Sequence, residues 1–287
     1  MSGKGEPVPV ASRTLYLVGT PIGNMGDLST RAAGVLRSVD RIAAEDTRRT
    51  GRLLERIGGR RPPLVSFHAH NEAARTARLV DRLLQGESIA VVTDAGNPGI
   101  SDPAERLVRA AVEAGIDVVP VPGPSAFLAA LVASGLPTGR FRFEGYLPSR
   151  GAARRRALGD LRPERATIVL HESPKRVHAL LTEIADLLGE RPVVLARELT
   201  KKFEEFYRGS ASEAVARLER DPPRGEYVVL VGGAGEGEPL PAEPVLDLVR
   251  EEIAAGRSLR DSVRAAARIA RWKEQEVYRI VREREGE

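Results

Sequence analysis

The 287-residue chain has no cysteine. This excludes disulfides, a thiolate metal site and a cysteine nucleophile, and it fits a reducing cytoplasm. No apolar run is long enough to span a bilayer, and Met1–Val10 is not a signal peptide. Residues 1–12 read as a disordered tail. The G-x-G-x-x-G fingerprint is missing, and so is the P-loop G-x-x-x-x-G-K-[ST], which argues against a standard dinucleotide or ATP site. H-E-x-x-H is missing as well. His68 and His70 stand two apart, a spacing that splays side chains to opposite faces of an extended segment, so no metal is expected there.

What is present is a chain long enough for about two domains with real cores. Its formal charge of +4 is mildly basic, compatible with nucleic acid but not diagnostic. The stretch Val91–Pro103, VVTDAGNPGISDP, is the centre of the first half. The apolar run Ile89-Ala90-Val91-Val92 predicts a buried strand, and Asp94 falls at its end. Gly96 and Gly99 let backbone approach a ligand, while Pro98 and Pro103 stiffen the loop. Asp102-Pro103 reads as an N-cap and first helical residue. Two carboxylates therefore lie at a strand's carboxyl end, where open α/β sheets bind ligands.

Around it the pattern is β-α-β-α without a break, which predicts a mostly parallel sheet. Thr14–Val18 is a strand running into Gly19-Thr20-Pro21-Ile22-Gly23-Asn24. Arg41–Ala44 ends in Glu45-Asp46-Thr47-Arg48, and Leu64–Phe67 ends in His68-Ala69-His70-Asn71-Glu72. Three strand ends thus carry polar clusters, and a parallel sheet should bring them to one edge. Asn71-Glu72 reads equally as a helix cap or as a substrate contact.

Pro122-Gly123-Pro124-Ser125 opens a helix to Ser134 that is apolar all round and so is expected to be buried. Its N-terminus suits a carboxylate, or Ser125 simply caps it. Between Arg140 and Arg165 there are eight arginines, with Phe141, Phe143 and Tyr146 among them. Arg154-Arg155-Arg156 fall in a segment expected to be mobile; they either neutralise phosphates or form a solvated face. Strands at Thr167–Leu170, Arg191–Ala196, Glu204–Tyr207 and Glu226–Val231 predict a second α/β domain with mixed strand directions. After a Gly/Pro/Glu linker come three short helices, at Val245–Ala255, Leu259–Ile269 and Glu274–Val281. Arg257, Arg260, Arg264, Arg268 and Arg271 there form a basic face, or the module is a dimer-packing tail.

Six motifs stand in order: Gly19–Asn24, Glu45–Arg48, His70–Glu72, Asp94–Pro103, Pro122–Ser125 and Ala196–Lys201. Together they resemble the bacterial 16S ribosomal RNA (cytidine 2′-O) methyltransferases of the tetrapyrrole methylase superfamily. Asn97 departs from the pattern, where Thr is expected. The resemblance covers residues 13–287. It implies an α/β fold: two α/β domains of the tetrapyrrole methylase type (13–121 and 122–236) with a cofactor cleft between them, and a C-terminal helical module (237–287). It implies S-adenosylmethionine (AdoMet) as methyl donor, no metal, a cytoplasmic homodimer, and methylation of cytidine 1402 in 16S rRNA of the small ribosomal subunit.

By motif position the cofactor residues are Pro21, Ile22, Asp94, Gly96, Asn97, Ser125, Ala126 and His171. A 2′-hydroxyl needs a base within hydrogen-bond reach; the candidates are Glu72, Asp46, Glu45 and His70. Arg48, Arg154, Arg155, Arg156, Arg264 and Arg268 are the candidate RNA contacts. Two other readings stand beside this one. One is a methyltransferase acting on a tetrapyrrole, against which the arginine-rich segment and helical tail speak. The other is a non-catalytic RNA-binding assembly factor.

Overall fold

The computed structural model describes residues 9–100, 102–235, 242–270 and 272–285. Its contacts divide the chain into one unit, Met1–Gly233, and a second, Ala234–Glu287. Residues 1–8 of the expected tail lie outside the described residues. The rest of that tail is docked: Val10 packs on the first core, and the Ala11 amide donates to the Tyr16 hydroxyl.

The first unit begins with β1 (Thr14–Val18), β2 (Arg41–Ala44), β3 (Leu64–Ser66), β4 (Ile89–Val92) and β5 (Asp117–Val121). They form one sheet in the order β3-β2-β4-β1-β5, every pair parallel. Four helices connect them: α1 (Thr30–Ser38), α2 (Thr47–Ile57), α3 (Glu72–Leu84) and α4 (Glu105–Glu113). Leu36 and Leu54 of α1 and α2 pack with Val18, Ile42 and Val92 on one face. Leu79 and Leu107 of α3 and α4 pack with Leu15, Ile89 and Val91 on the other. β4 is buried along its whole length because both faces are covered, which is why it reads as an unbroken apolar run. Each buried Ile or Val side chain there contributes about 1.5–3 kcal/mol of burial. The capping expectation at Asp102 is not met: α4 starts at Glu105, with the buried Ala104 in the cap position. Asp102 is held among other carboxylates instead of on the helix end.

The second half of this unit holds β6 (Phe141–Gly145), β7 (Thr167–Glu172), β8 (Pro192–Arg197), β9 (Glu205–Ser210) and β10 (Tyr227–Val231), ordered β6-β7-β10-β8-β9. Only the β6–β7 pair is parallel. α5 (Ala126–Ser134) covers one face, with Ala130 and Leu131 against Val169, Val194 and Leu230. α6 (Gly151–Asp160), α7 (Val177–Leu188) and α8 (Ala211–Arg220) cover the other. α5 is not buried all round. A single face meets the sheet, and Leu128 and Val132 remain exposed, the latter at 75%. The segment carrying Arg154–Arg156 is an ordered helix rather than a mobile loop.

The second unit packs α9 (Ala242–Ala254), α10 (Leu259–Ala270) and α11 (Glu274–Glu285) around Val249, Val263, Ala266 and Val277. Two members of its expected basic face are neutralised. Arg257 pairs with Glu252 and Arg264 with Glu274, leaving Arg260 as the unpaired member among the described side chains. The side chain of Arg268 and the whole of Arg271 lie outside the described residues. No helix among the described residues is long and apolar enough to cross a membrane.

Candidate active site

Neighbouring strands β4, β1 and β5 deliver three loops to one sheet edge. The β1 loop and the β4 loop are zipped by reciprocal backbone bonds, Thr20 N–H to Gly96 O at 2.9 Å and Gly96 N–H to Thr20 O at 3.0 Å. The Thr20 hydroxyl also donates to the Thr93 carbonyl at 3.1 Å. The Asn97 amide reaches the β5 loop, donating to the carbonyls of Pro124 and Gly123 at 3.2 and 3.4 Å. Gly19 and Gly123 press backbone on backbone: a Cβ built on Gly19 would lie 2.6 Å from the Gly123 Cα. Gly96 sits at φ +84°, which favours glycine.

These loops form one wall of a cleft of about 380 Å³, a common size for a small-molecule site. The opposite wall comes from the second sheet and α5, through Ala126, Phe127, His171, Leu199 and Val228. Glu45, Asp94 and Asp102 give the cleft its acidic character. Glu45 accepts the Asp94 amide at 3.1 Å, and Arg49 pairs with the Asp94 carboxylate at 3.1 Å. The other Asp94 oxygen is buried with no partner among the described residues. Burial first, and then the charges of Glu45 and Asp94, push the Asp102 carboxyl up to about 6. Burial pushes His171 down, so its ring is neutral at neutral pH. That ring stands edge-on to Phe143 at 5.4 Å and tilted to Tyr146 at 5.5 Å.

Of the residues expected from sequence, Ile22, Glu45, Asp94, Gly96, Asn97, Ser125, Ala126 and His171 line this cleft. Pro21 faces an adjoining groove. Three expected base candidates are not there. Asp46 caps α2 by accepting the amides of Arg48 and Arg49, and it pairs with the Arg48 guanidinium. Arg48, through that hydrogen bond, holds the Asp46 carboxyl below its ordinary range, which makes it a weaker base. Glu72 and His70 follow β3, the outermost strand, with β2 between it and β4; neither lines the cleft. Two of the three polar clusters therefore converge, and the third stays at the sheet's edge. There the segment turns, so the rings of His68 and His70 are not splayed but lie 5.9 Å apart. Asn71 neither caps by its side chain nor faces the cleft. It accepts the His68 amide and donates to the Ser66 carbonyl, fixing the turn. Among the described residues no three metal-ligating side chains are arranged so that they could hold a metal ion.

Arg154 has to leave the set of RNA contacts. It is 4% exposed and bonded twice to Glu183, at 2.8 Å each, and once to the Ser149 carbonyl. Arg155 faces Asp186 at 3.9 Å, and Arg156 is exposed. Arg48 lines neither this cleft nor the adjoining groove; the arginine that reaches the acidic cluster is its neighbour Arg49. A sequence signal for Arg49 exists, since a residue three beyond an N-cap lies on the first turn. Leu199 lies within the Ala196–Lys201 motif, whereas Phe127 and Val228 had no such signal, because their place depends on how the two sheets meet.

The family model of the tetrapyrrole (corrin/porphyrin) methylases matches residues 14–215. A Synechocystis protein named ribosomal RNA small subunit methyltransferase I is 44% identical, over 95% of this chain and 99% of its own length. Proteins of the same name from Micromonospora olivasterospora and Escherichia coli O157:H7 are 45% and 43% identical, covering 99% and 95% of this chain and 92% and 96% of their own. Among solved structures, a cobalt precorrin-4 methyltransferase matches with a TM-score of 0.58 at 18% identity, over 77% of this chain and 95% of its own. The uroporphyrin-III C-methyltransferase of Thermus thermophilus matches at 0.54 and 24%, over 77% and 94%. These two share the fold. The chain belongs to the tetrapyrrole methylase family and, within it, to the ribosomal RNA small subunit methyltransferase I group.

Proposed function

We propose that this protein transfers a methyl group from AdoMet to the 2′-hydroxyl of cytidine 1402 of 16S rRNA, on the small ribosomal subunit in the cytoplasm. The observation that carries the reading is the acidic cleft closed by the three zipped loops, in a chain whose relatives are named for this class of substrate. The residues present fit AdoMet. The free amides at the start of α5, where Ser125 makes no side-chain cap bond, suit its carboxylate. Ile22, Ala126, Phe127 and Leu199 offer an apolar surface to its adenine. The unpartnered Asp94 oxygen offers an acceptor to its hydroxyl or amine.

When bound, AdoMet supplies an electrophilic methyl group on a sulfonium. Glu45, Asp94 and Asp102 offset that positive charge, and the neutral His171 adds none. Bringing the ribose oxygen in line is the larger part of the work. Asp102 is the group placed to take the hydroxyl proton, since a base titrating near the working pH is the most effective; Glu45 beside it is the second choice. Homodimer formation is supported by the apolar surface at Leu128, Val132 and Phe141. The 6.1 Å ring contact of Phe141 with Phe127 joins it to α5.

The test is transfer of labelled methyl from AdoMet to small subunits from a strain lacking the modification, with a porphyrinoid substrate offered in parallel. Label on the subunits is the expected result. Label on the porphyrinoid alone favours the tetrapyrrole reading, and AdoMet consumption by neither favours the assembly factor.

A further inference from the structure

Beside the cleft, sharing Arg49 and Asp94 with it, lies a second groove of about 260 Å³. α2 forms one wall. Arg49, Arg52 and Arg56 stand at i, i+3 and i+7, on one helix face. Pro21, Gly23 and Met25 of the β1 loop form the other wall. Asp94, the one carboxylate lining the groove, is engaged by Arg49 at 3.1 Å. Arg52 and Arg56 are exposed and have no ion-pair partner among the described residues.

That contrasts with the charges α2 turns elsewhere. Arg48 is paired with Asp46, and Glu55 with Arg61 at 3.3 Å. Among the arginines of α2, the unpaired guanidinium groups are thus confined to the groove. Four residues apart on a helix, they are separated by about 6 Å along its axis, close to one step of a ribose-phosphate backbone. No aromatic ring lines the groove to stack a base, so it reads charge rather than sequence.

We propose that this groove is a phosphate track. Arg52 and Arg56 hold consecutive phosphodiesters of the RNA strand next to the target nucleotide and lead its ribose past Arg49 into the acidic cleft. The inference rests on the RNA reading above and supplies its missing positive surface, since the cleft itself is acidic and would repel a bare phosphate.

The experiment measures binding of the full chain to unmodified small subunits over a series of salt concentrations. Arg52→Gln/Arg56→Gln is compared with wild type and with Arg78→Gln/Arg106→Gln, which removes the same charge from α3 and α4 on the opposite sheet face. AdoMet affinity by calorimetry reports that each variant keeps its cleft. The groove variant should bind more weakly, with a log–log salt slope shallower by about 0.7 per lost contact, roughly 1.4 in all; the control pair should match wild type. A groove variant with the wild-type slope and affinity overturns the track, and so does an equal loss in the control. Wild type that binds AdoMet but no subunits overturns the RNA reading itself.

Discussion

Asp102 is the residue on which chemistry and stability pull apart. Its folded carboxyl titrates near 6 against an ordinary 3.8, so between these values the folded state holds more protons than the unfolded one. Stability from this group therefore falls as pH rises through that window, by less than the roughly 3 kcal/mol that a fully buried carboxyl with this shift would give, because Asp102 is partly solvated. Asp102→Asn should melt higher than wild type at pH 8 and transfer methyl groups more slowly; thermal melts at pH 4 and 8 check the first part. Equal melting of the two proteins at pH 8 would contradict the assigned environment. Arg154 is the opposite case, a charge spent on structure. Arg154→Ala leaves Glu183 without its partner and should cost about 3 kcal/mol in a denaturant titration, without changing RNA affinity of the folded protein. Sequence marked both residues for function, because charge type and local spacing are visible in a chain and burial is not. Asp94 and Glu45 were legible from their place after strands, whereas Glu72 followed the same pattern on a strand that the sheet order puts at the edge.

At the scale of elements, the cleft depends on loops held together by absent side chains. Gly123→Ala would put a Cβ 2.7 Å from the Gly19 Cα, and backbone cannot yield there without moving the Asn97 bridge. Calorimetry should show AdoMet binding weakened at least tenfold with the fold retained; unchanged affinity would mean that the loop contact does not shape the site. The parallel order of the first half was readable from alternating apolar runs and helical segments. β6 and α6 were not, since arginines at 142 and 154–156 masked an edge strand and a half-buried helix as a single basic segment. The exposed side of α5 was misjudged for a related reason: an all-apolar helix is buried only where it has partners on every side, and one of its faces is left uncovered.

For the molecule as a whole, that uncovered face predicts an oligomer. Val132→Glu, at a side chain 75% exposed, should convert a dimer to a monomer by light scattering while AdoMet binding persists; a wild-type monomer would remove the dimer from the account. Five of the six sequence motifs sit on the loops that build the cleft, which is why they led to the right family, while the way the second sheet closes it was visible only in three dimensions. The proposed reaction takes place at a ribose oxygen. The measurement that tests it most directly maps labelled methyl groups on the 16S rRNA of modified small subunits by resistance of the adjacent phosphodiester to alkali. One alkali-resistant step is expected, after cytidine 1402. Label at a position that alkali still cleaves would place the methyl on a base and contradict it.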